Sequence, residues 1–172
     1  MMTVDYARTM AAYNRWMNER LYQTCLTLGD AERKADRKAF FHSVHGTLNH
    51  ILLADRIWLG RFTGVPFKAK GLDDELFGDF AELWDARRET DAAIDDWVAD
   101  LTDETLNSTL SYTSLVNPEP KQYPMALVVM HFFNHQTHHR GQVTTLLNQA
   151  GKDMGVTDLM WLPHALTASM NG

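Results

Sequence analysis

The residues of this chain that could carry chemistry are histidines, and they are unevenly distributed. The sequence of 172 residues contains eight of them. Four fall within nine positions: His131, His135, His138 and His139. At about 100° per residue, a helix through this segment places all four, together with Gln142, on one face. Histidines four residues apart on a helix can bind one metal ion, and both His131/His135 and His135/His139 have that spacing.

A third imidazole is available on another predicted helix. His50 lies within an apolar stripe of the sequence, where burying a histidine without a partner costs free energy. Histidines on two facing helices therefore favour a metal site between them. Hydrogen-bonded core histidines and a solvated polar face are the competing interpretations, and spacing alone does not decide among the three.

Apolar residues recur at steps of three and four along four long segments, which predicts four amphipathic helices. Ser43 is the predicted N-cap of the second helix, and Gly64 with Pro66 ends it. Pro124 suits the first turn of the fourth helix. These helices predict an all-α four-helix bundle in a single domain, residues 1–172. The predicted helices span residues 5–28, 44–62, 77–101 and 124–151.

Between the third and fourth helices the pattern changes. Serine and threonine alternate with Leu110 and Tyr112, and the sequence Asn117-Pro118-Glu119-Pro120 follows. This predicts a short β-hairpin or extended excursion on the rim of the bundle. The tail, residues 152–172, has no long periodicity, but its apolar run Leu159-Met160-Trp161-Leu162 is expected to fold back onto the body.

The amino-acid composition argues against a nucleic-acid-binding protein, a membrane protein and a secreted protein. Sixteen basic against 22 acidic residues give a net charge of −6 and a pI near 5.7, so nucleic-acid binding is not expected. The longest nearly apolar stretch, residues 123–130, is far shorter than the ~20 residues of a membrane helix. The start of the chain has no secretion signal, and the single cysteine, Cys25, can form no internal disulfide, which predicts a cytoplasmic protein. Cys25 is expected to be a packing or surface residue rather than a nucleophile.

Three segments of the chain resemble the DinB/YfiT-like family of small helical metalloproteins. They are residues 131–142, which contain the motif H-x-x-x-H-R-G-Q, residues 46–58, and the opening residues 13–18. The resemblance covers nearly the whole chain. It implies a bundle with up-up-down-down connectivity, frequent homodimers, and a three-histidine site for a divalent metal ion, zinc or nickel.

Transferred by motif, the family's ligand on the second helix falls on His50, and its pair on the fourth helix falls on His135 and His139. Four further histidines are not ligands in that pattern: His42, His45, His131 and His138. Three neutral imidazoles would leave the ion its full charge and an open coordination position. That arrangement is typical of catalytic metal sites.

An open site of this kind could activate either water or a thiol. A hydrolase needs a carboxylate base, but Gln136 follows His135, and Asp55 points about 140° away from His50 on its helix. Thiol activation needs no such base. The resemblance also implies thiol-dependent S-transferases and isomerases that use mycothiol, bacillithiol or glutathione. We therefore expect a thiol S-transferase that acts on a small molecule in detoxification or stress metabolism.

Residues near the triad have expected supporting roles. Gln142 and Asn49 are expected to orient ligands or substrate. His138 is a candidate fourth ligand or proton shuttle, although a hydrogen-bonded histidine is the favoured interpretation. Arg140 and the segment around Tyr112 are candidate anion-binding groups at the rim. Two alternatives stay open: a non-enzymatic metal-binding or structural dimer induced under stress, and a metal-dependent hydrolase. A transferase needs a cavity, whereas a structural bundle would bury the ion.

Overall fold

Four long helices carry the fold in the computed structural model, which describes residues 2–114 and 119–166. They are α1 (Val4–Leu26), α3 (Val44–Thr63), α4 (Phe80–Ala99) and α6 (Met125–Gln149). The shorter elements are α2 (Asp30–Lys34), α5 (Asp103–Leu106), β1 (Thr109–Thr113), β2 (Pro120–Pro124) and the 3-10 turns Leu159–Trp161 and His164–Leu166. Helix α1 packs against α4 and α6, and α3 packs against the same two helices. The predicted all-α four-helix bundle is confirmed.

Local sequence signals set the ends of these helices. The Oγ of Ser43 accepts a hydrogen bond from the backbone N–H of Gly46, which confirms the predicted N-cap of α3. Helix α3 ends at Gly64, whose φ of 75° is left-handed and therefore suits glycine. Pro124 precedes α6 rather than lying in its first turn, because it is still paired with Thr109 in the hairpin.

The direction of α4 relative to α1 follows from side-chain pairs between them. Arg8, near the start of α1, donates a hydrogen bond to the carbonyl of Ala99 at the end of α4. Glu19, further along α1, accepts hydrogen bonds from Arg88, which lies earlier in α4. Helices α1 and α4 are therefore antiparallel.

Helices α3 and α4, by contrast, are parallel. Asp55 of α3 pairs with Arg87 of α4, and Phe62, two turns later in α3, stacks on Trp97, which also lies later in α4. The connection between the two helices, residues 64–79, contains 16 residues and can span about 50 Å when extended. A helix of 20 residues is about 30 Å long, so this connection can return the chain to the end where α3 began.

Helix α6 runs antiparallel to α3. The ring of His50 contacts the ring of His139, whereas Trp58, two turns later in α3, contacts His131, two turns earlier in α6. The bundle is therefore up-down-down-up, which corrects the expected up-up-down-down connectivity. The periodicity of a helix does not encode its direction, and a long connection permits either one.

The connection between α5 and α6 contains the predicted β-hairpin. Leu110 of β1 lies opposite Tyr123 of β2 in an antiparallel pair, and the side chain of Leu110 is buried in the core. The first two residues of the predicted turn, Asn117 and Pro118, lie outside the described residues. Strand β2 ends at Pro124, directly before α6, so the hairpin stands at the N-terminal end of that helix.

The tail folds back only in part. Arg20 of α1 donates hydrogen bonds to two backbone carbonyls of the tail. Leu162 is buried as expected, but Met160 and Trp161 are 92% and 65% exposed. The 3-10 turn Leu159–Trp161 rotates successive side chains by about 120°, so only one side of the apolar run can face the bundle.

A buried network of charged and polar side chains joins the four long helices. Arg87 of α4 pairs with Asp55 of α3 at 2.6 Å and with Asp91 at 2.9 Å. Asn18 of α1 donates a hydrogen bond to Asp91, and Gln136 of α6 donates one to Asp55. Because these hydrogen bonds must be satisfied together, the network fixes the register of the helices.

The structure also bears on the expected role of Cys25 and on the expected lack of a membrane-spanning helix. Cys25 is buried in the core of the bundle, and burial raises the pKa of its thiol to about 12. It is therefore a packing residue rather than a nucleophile. Among the described residues, no helix combines the length and the apolar character that a bilayer span requires.

Candidate metal centre

Three histidines from two facing helices converge in the bundle. His50 comes from α3, and His135 and His139 come from consecutive turns of α6. One ring nitrogen of each lies within 4.8 Å of those of the other two, and the Nε2 atoms of His50 and His135 are 3.3 Å apart. Two zinc–imidazole bonds of about 2.05 Å at a tetrahedral angle would place their nitrogens about 3.3 Å apart. The donor set and its spacing therefore fit a divalent metal ion.

The ring of His50 is oriented by a backbone group. Its Nδ1 lies 2.8 Å from the carbonyl oxygen of Leu72. Because a carbonyl can only accept a hydrogen bond, Nδ1 carries the proton and Nε2 keeps a free lone pair. Burial lowers the pKa of His50 to about 4, so the ring is neutral at physiological pH. Both the tautomer and the charge suit metal binding through Nε2.

The ring of His139 is oriented by a side chain. Its Nδ1 donates a hydrogen bond of 2.8 Å to Oε1 of Gln142, which leaves Nε2 free. The amide nitrogen of Gln142 donates in turn to Nε2 of the exposed His138. Burial lowers the pKa of His139. Gln142 is therefore placed where it can orient the ring of His139.

The third ring, His135, bears on the choice between a metal site and a hydrogen-bonded cluster. His50 and His139 each present a bare Nε2 beside it, and one proton on His135 could satisfy only one of them. A cation satisfies all three nitrogens at once. Burial, reinforced by the neighbouring imidazoles, lowers the pKa of His135 to about 3. The cluster is neutral and is compatible with a bound divalent metal ion.

A close backbone contact places an aromatic ring on His50. The ring of Phe41 stacks on the imidazole of His50 with centroids 3.7 Å apart. The loop that carries Phe41 approaches α3 so closely that a Cβ on Gly46 would lie 2.3 Å from the Phe41 carbonyl oxygen. Glycine at position 46 is therefore a steric requirement of the site.

Asn49 acts on the site through a loop. Its side chain donates a hydrogen bond to the carbonyl of Phe77 and accepts one from the N–H of the same residue, and Nε2 of His45 also lies 2.8 Å from that carbonyl. These bonds fasten the end of the connection 64–79 to α3. Because Leu72 belongs to this connection, Asn49 helps to position the carbonyl that orients His50, through side-chain hydrogen bonds to His45 and Phe77.

The other histidines lie outside the triad. His131 packs edge-on against Trp58, and His138 bonds to Gln142. His45 bonds to Phe77, as described above, and His42 is an exposed residue with a φ of 63°. Within residues 2–114 and 119–166, the three-histidine group is the one cluster with metal-ligand spacing.

Arg140 has a different role from the one expected. Its guanidinium is buried, donates hydrogen bonds to Asn14 and Thr137, and lies 5.4 Å from the ring of Tyr13. These contacts belong to the core between α1 and α6. One residue beyond His139, Arg140 is turned about 100° around the helix, away from the triad, so the expectation of a rim anion-binding group at this position is wrong.

Two histidines of the triad, His50 and His139, line a cavity of about 460 Å³. The residues in its wall are Phe40, Phe41, His50, Leu72, Asp73, His138, His139 and Gln142. Asp73 is the one carboxylate among them. Sequence reasoning missed Asp73 and Leu72 because they lie in a connection without periodicity, and because a backbone carbonyl leaves no signal in residue type.

Comparisons with known proteins agree with this architecture. Protein DinB of Bacillus subtilis (strain 168) is 26% identical to this chain over 166 residues, which cover 90% of this chain and 91% of that protein. A DinB-like protein from Bacillus cereus ATCC 10987, solved as a crystal structure at 2.01 Å, shows the same fold. Its superposition on this chain has a TM-score of 0.58 at 22% sequence identity, and it covers 81% of this chain and 89% of that one. The family model described as "DinB family" matches residues 1–169. The chain belongs to the DinB family.

Proposed function

We propose that this protein is a metal-dependent enzyme that transfers a low-molecular-weight thiol to a small-molecule electrophile, with His50, His135 and His139 as the metal ligands. The observation that carries the proposal is that two histidines of the triad, His50 and His139, line an open cavity. Closed structural sites use four protein ligands, whereas catalytic sites use three and keep a position for water or substrate. The cavity therefore argues against a purely structural metal site.

The size and lining of the cavity suit a thiol of this class. Its volume of about 460 Å³ falls within the range of small-molecule sites. Phe40 and Phe41 provide apolar surface, and Gln142 and Asp73 provide polar groups. A small polar thiol could thus be bound with its sulfur directed at the triad.

The ligand set is suited to sulfur chemistry. A divalent ion bound there would supply a Lewis acid that favours the thiolate form of a bound thiol. His50 and His139 keep their Nε2 atoms available because Leu72 and Gln142 hold the Nδ1 protons. In the transfer the thiol sulfur bonds to the electrophilic carbon, the leaving group departs with the electron pair of its bond, and the thiol proton passes to solvent.

A metal-dependent hydrolase is the second candidate, and one observation favours it. Asp73 brings a carboxylate to the cavity wall, although the residues around His50 and His135 in the sequence predict no carboxylate base there. Activation of water would require this carboxylate as a general base. Thiol transfer does not require it. A hydrolytic activity would therefore be lost in Asp73→Asn, whereas thiol binding and transfer would be kept.

The test is a titration of the cobalt-substituted protein with glutathione, mycothiol and bacillithiol, followed by absorption spectroscopy. A thiolate bound to cobalt changes the spectrum of the ion, so a saturable change for one thiol reports a sulfur ligand. We expect this change in the wild type, in Asp73→Asn and in the control His42→Asn, and its loss in His139→Ala. A cobalt-loaded protein that binds none of the three thiols would overturn the transferase proposal.

A further inference from the structure

A second cavity lies next to the triad, between α3, α6 and the hairpin. It encloses about 310 Å³. Six residues line it: Trp58, Tyr112, Tyr123, Leu127, Val128 and His131. None of the six is acidic, and none lines the cavity at the triad. This space is therefore a separate, mostly aromatic compartment.

The rings of this compartment are arranged around Trp58. The ring centroids of Tyr112 and His131 each lie 5.3 Å from that of Trp58, at interplanar angles of 74° and 67°. Tyr123 adds a fourth ring, 6.3 Å from Tyr112. Rings that stand at steep angles to one another offer both faces and edges, which is the geometry that a flat aromatic guest prefers.

A positive charge lies against the same rings. The guanidinium carbon of Arg61 lies 4.3 Å from the ring centroid of Trp58 and 4.1 Å from that of Tyr112. In the part of the chain that the structure describes, Arg61 pairs with no carboxylate and donates no hydrogen bond. Its N–H donors are therefore available to an anionic group of a ligand.

The compartment is also close to the proposed reaction centre. His131 precedes His135 by one helical turn, about 6 Å along α6, and their ring centroids are 5.8 Å apart. A molecule bound in the cavity against Trp58 and His131 would thus lie beside the metal ligands, on the side opposite the Phe41 ring that contacts His139.

We propose that this compartment binds a small planar aromatic anion, with its ring packed against the cavity-facing sides of Trp58 and Tyr112 and its acidic group directed toward Arg61. A volume of about 310 Å³ accommodates one or two fused rings. The further assignment of this ligand as the electrophile that receives the thiol rests on the proposed function above. Binding of the aromatic anion itself requires neither metal nor thiol.

The test is calorimetric titration of the metal-free protein with 2-naphthoate and with the neutral analogue 2-naphthamide. We expect saturable naphthoate binding that Leu127→Trp, which fills the compartment from a half-exposed position, weakens by about tenfold or more. Tyr123→Ala, which removes one wall, is expected to weaken it as well. Leu26→Trp, at an exposed position outside the compartment, is the matched control and is expected to leave binding unchanged.

The contribution of the Arg61 charge to binding is tested by Arg61→Gln. We expect this variant to lose about fivefold or more in affinity for naphthoate and less than about twofold for naphthamide. No binding of naphthoate at millimolar concentration, or binding that is equal in wild type, Leu127→Trp and Tyr123→Ala, would overturn the proposal. Since the protein is metal-free, failure of the thiol chemistry would leave this result unaffected.

Discussion

The Nδ1 atom of His50 lies 2.8 Å from the carbonyl oxygen of Leu72, so a backbone group of a connecting segment fixes the tautomer of a metal-ligand candidate on α3. That segment is fastened in turn by the paired hydrogen bonds between Asn49 and Phe77. The orientation of the His50 ring thus depends on the placement of residues 64–79 as well as on the two helices that carry the histidines.

This relationship predicts that Asn49→Ala weakens metal binding without removing a ligand. Loss of the bonds to Phe77 frees the segment that carries Leu72, and loss of ligand-orienting contacts typically costs about 10- to 100-fold in metal affinity. Zinc affinity measured by competition with a chromophoric chelator checks it. Asn134→Ala, an exposed change on α6, is the control. Equal zinc affinity in both variants would contradict the role given to Asn49.

The hydrogen bond from His139 to Gln142 predicts a contrast between two substitutions. Gln142→Leu removes the acceptor and is expected to weaken zinc binding by about tenfold or more. Gln142→Glu keeps an oxygen at the same position and is expected to bind zinc at least as tightly as the wild type. The same chelator competition measures both, and similar losses in the two variants would count against this orienting role.

The close approach at Gly46 predicts a stability effect at a position without a side chain. In Gly46→Ala the new Cβ meets the backbone oxygen of Phe41, and overpacking of this kind costs about 1–3 kcal/mol in the free energy of unfolding. Gly141→Ala, where a Cβ meets nothing within 4 Å, is expected to stabilise α6 by about 0.5–1 kcal/mol. Urea unfolding followed by circular dichroism measures both, and Gly46→Ala with wild-type stability would show that the contact is not tight.

The buried ion pairs of Arg87 predict a large loss of stability when that residue is replaced. Arg87→Met leaves the buried carboxylates of Asp55 and Asp91 without their cation, which is expected to cost about 3–5 kcal/mol. Arg88→Met breaks the exposed pair with Glu19 and is expected to cost at most about 1 kcal/mol. Comparable urea midpoints for the two variants would contradict the importance of the buried network.

Much of this architecture could be predicted from the sequence because helical periodicity and capping residues are local signals. The ends of α3 at Ser43 and Gly64 are of this kind, and so is the common face of His135 and His139. The hairpin before α6 was likewise predicted from residue alternation and turn residues. The assignment of His50 as the third ligand depended on the family resemblance as well as on its place in an apolar stripe.

Other features depend on contacts between distant parts of the chain. The sequence around Arg87 and Asp91 does not reveal that Asp55 and Asn18, from neighbouring helices, lie opposite them. The parallel arrangement of α3 and α4 depends on the path of residues 64–79, which carry no periodic pattern. The homodimer, the cytoplasmic location and the identity of the metal stay predictions.

Elemental analysis shows whether His50, His135 and His139 bind a divalent metal ion. Untagged wild-type protein, purified without a nickel column, is compared with His135→Ala and with the control His138→Ala. We predict about one divalent ion per chain in the wild type and in His138→Ala, and its loss in His135→Ala. A folded wild-type protein that carries no metal, and takes up none from added zinc, nickel or cobalt, would show that the three histidines are not metal ligands.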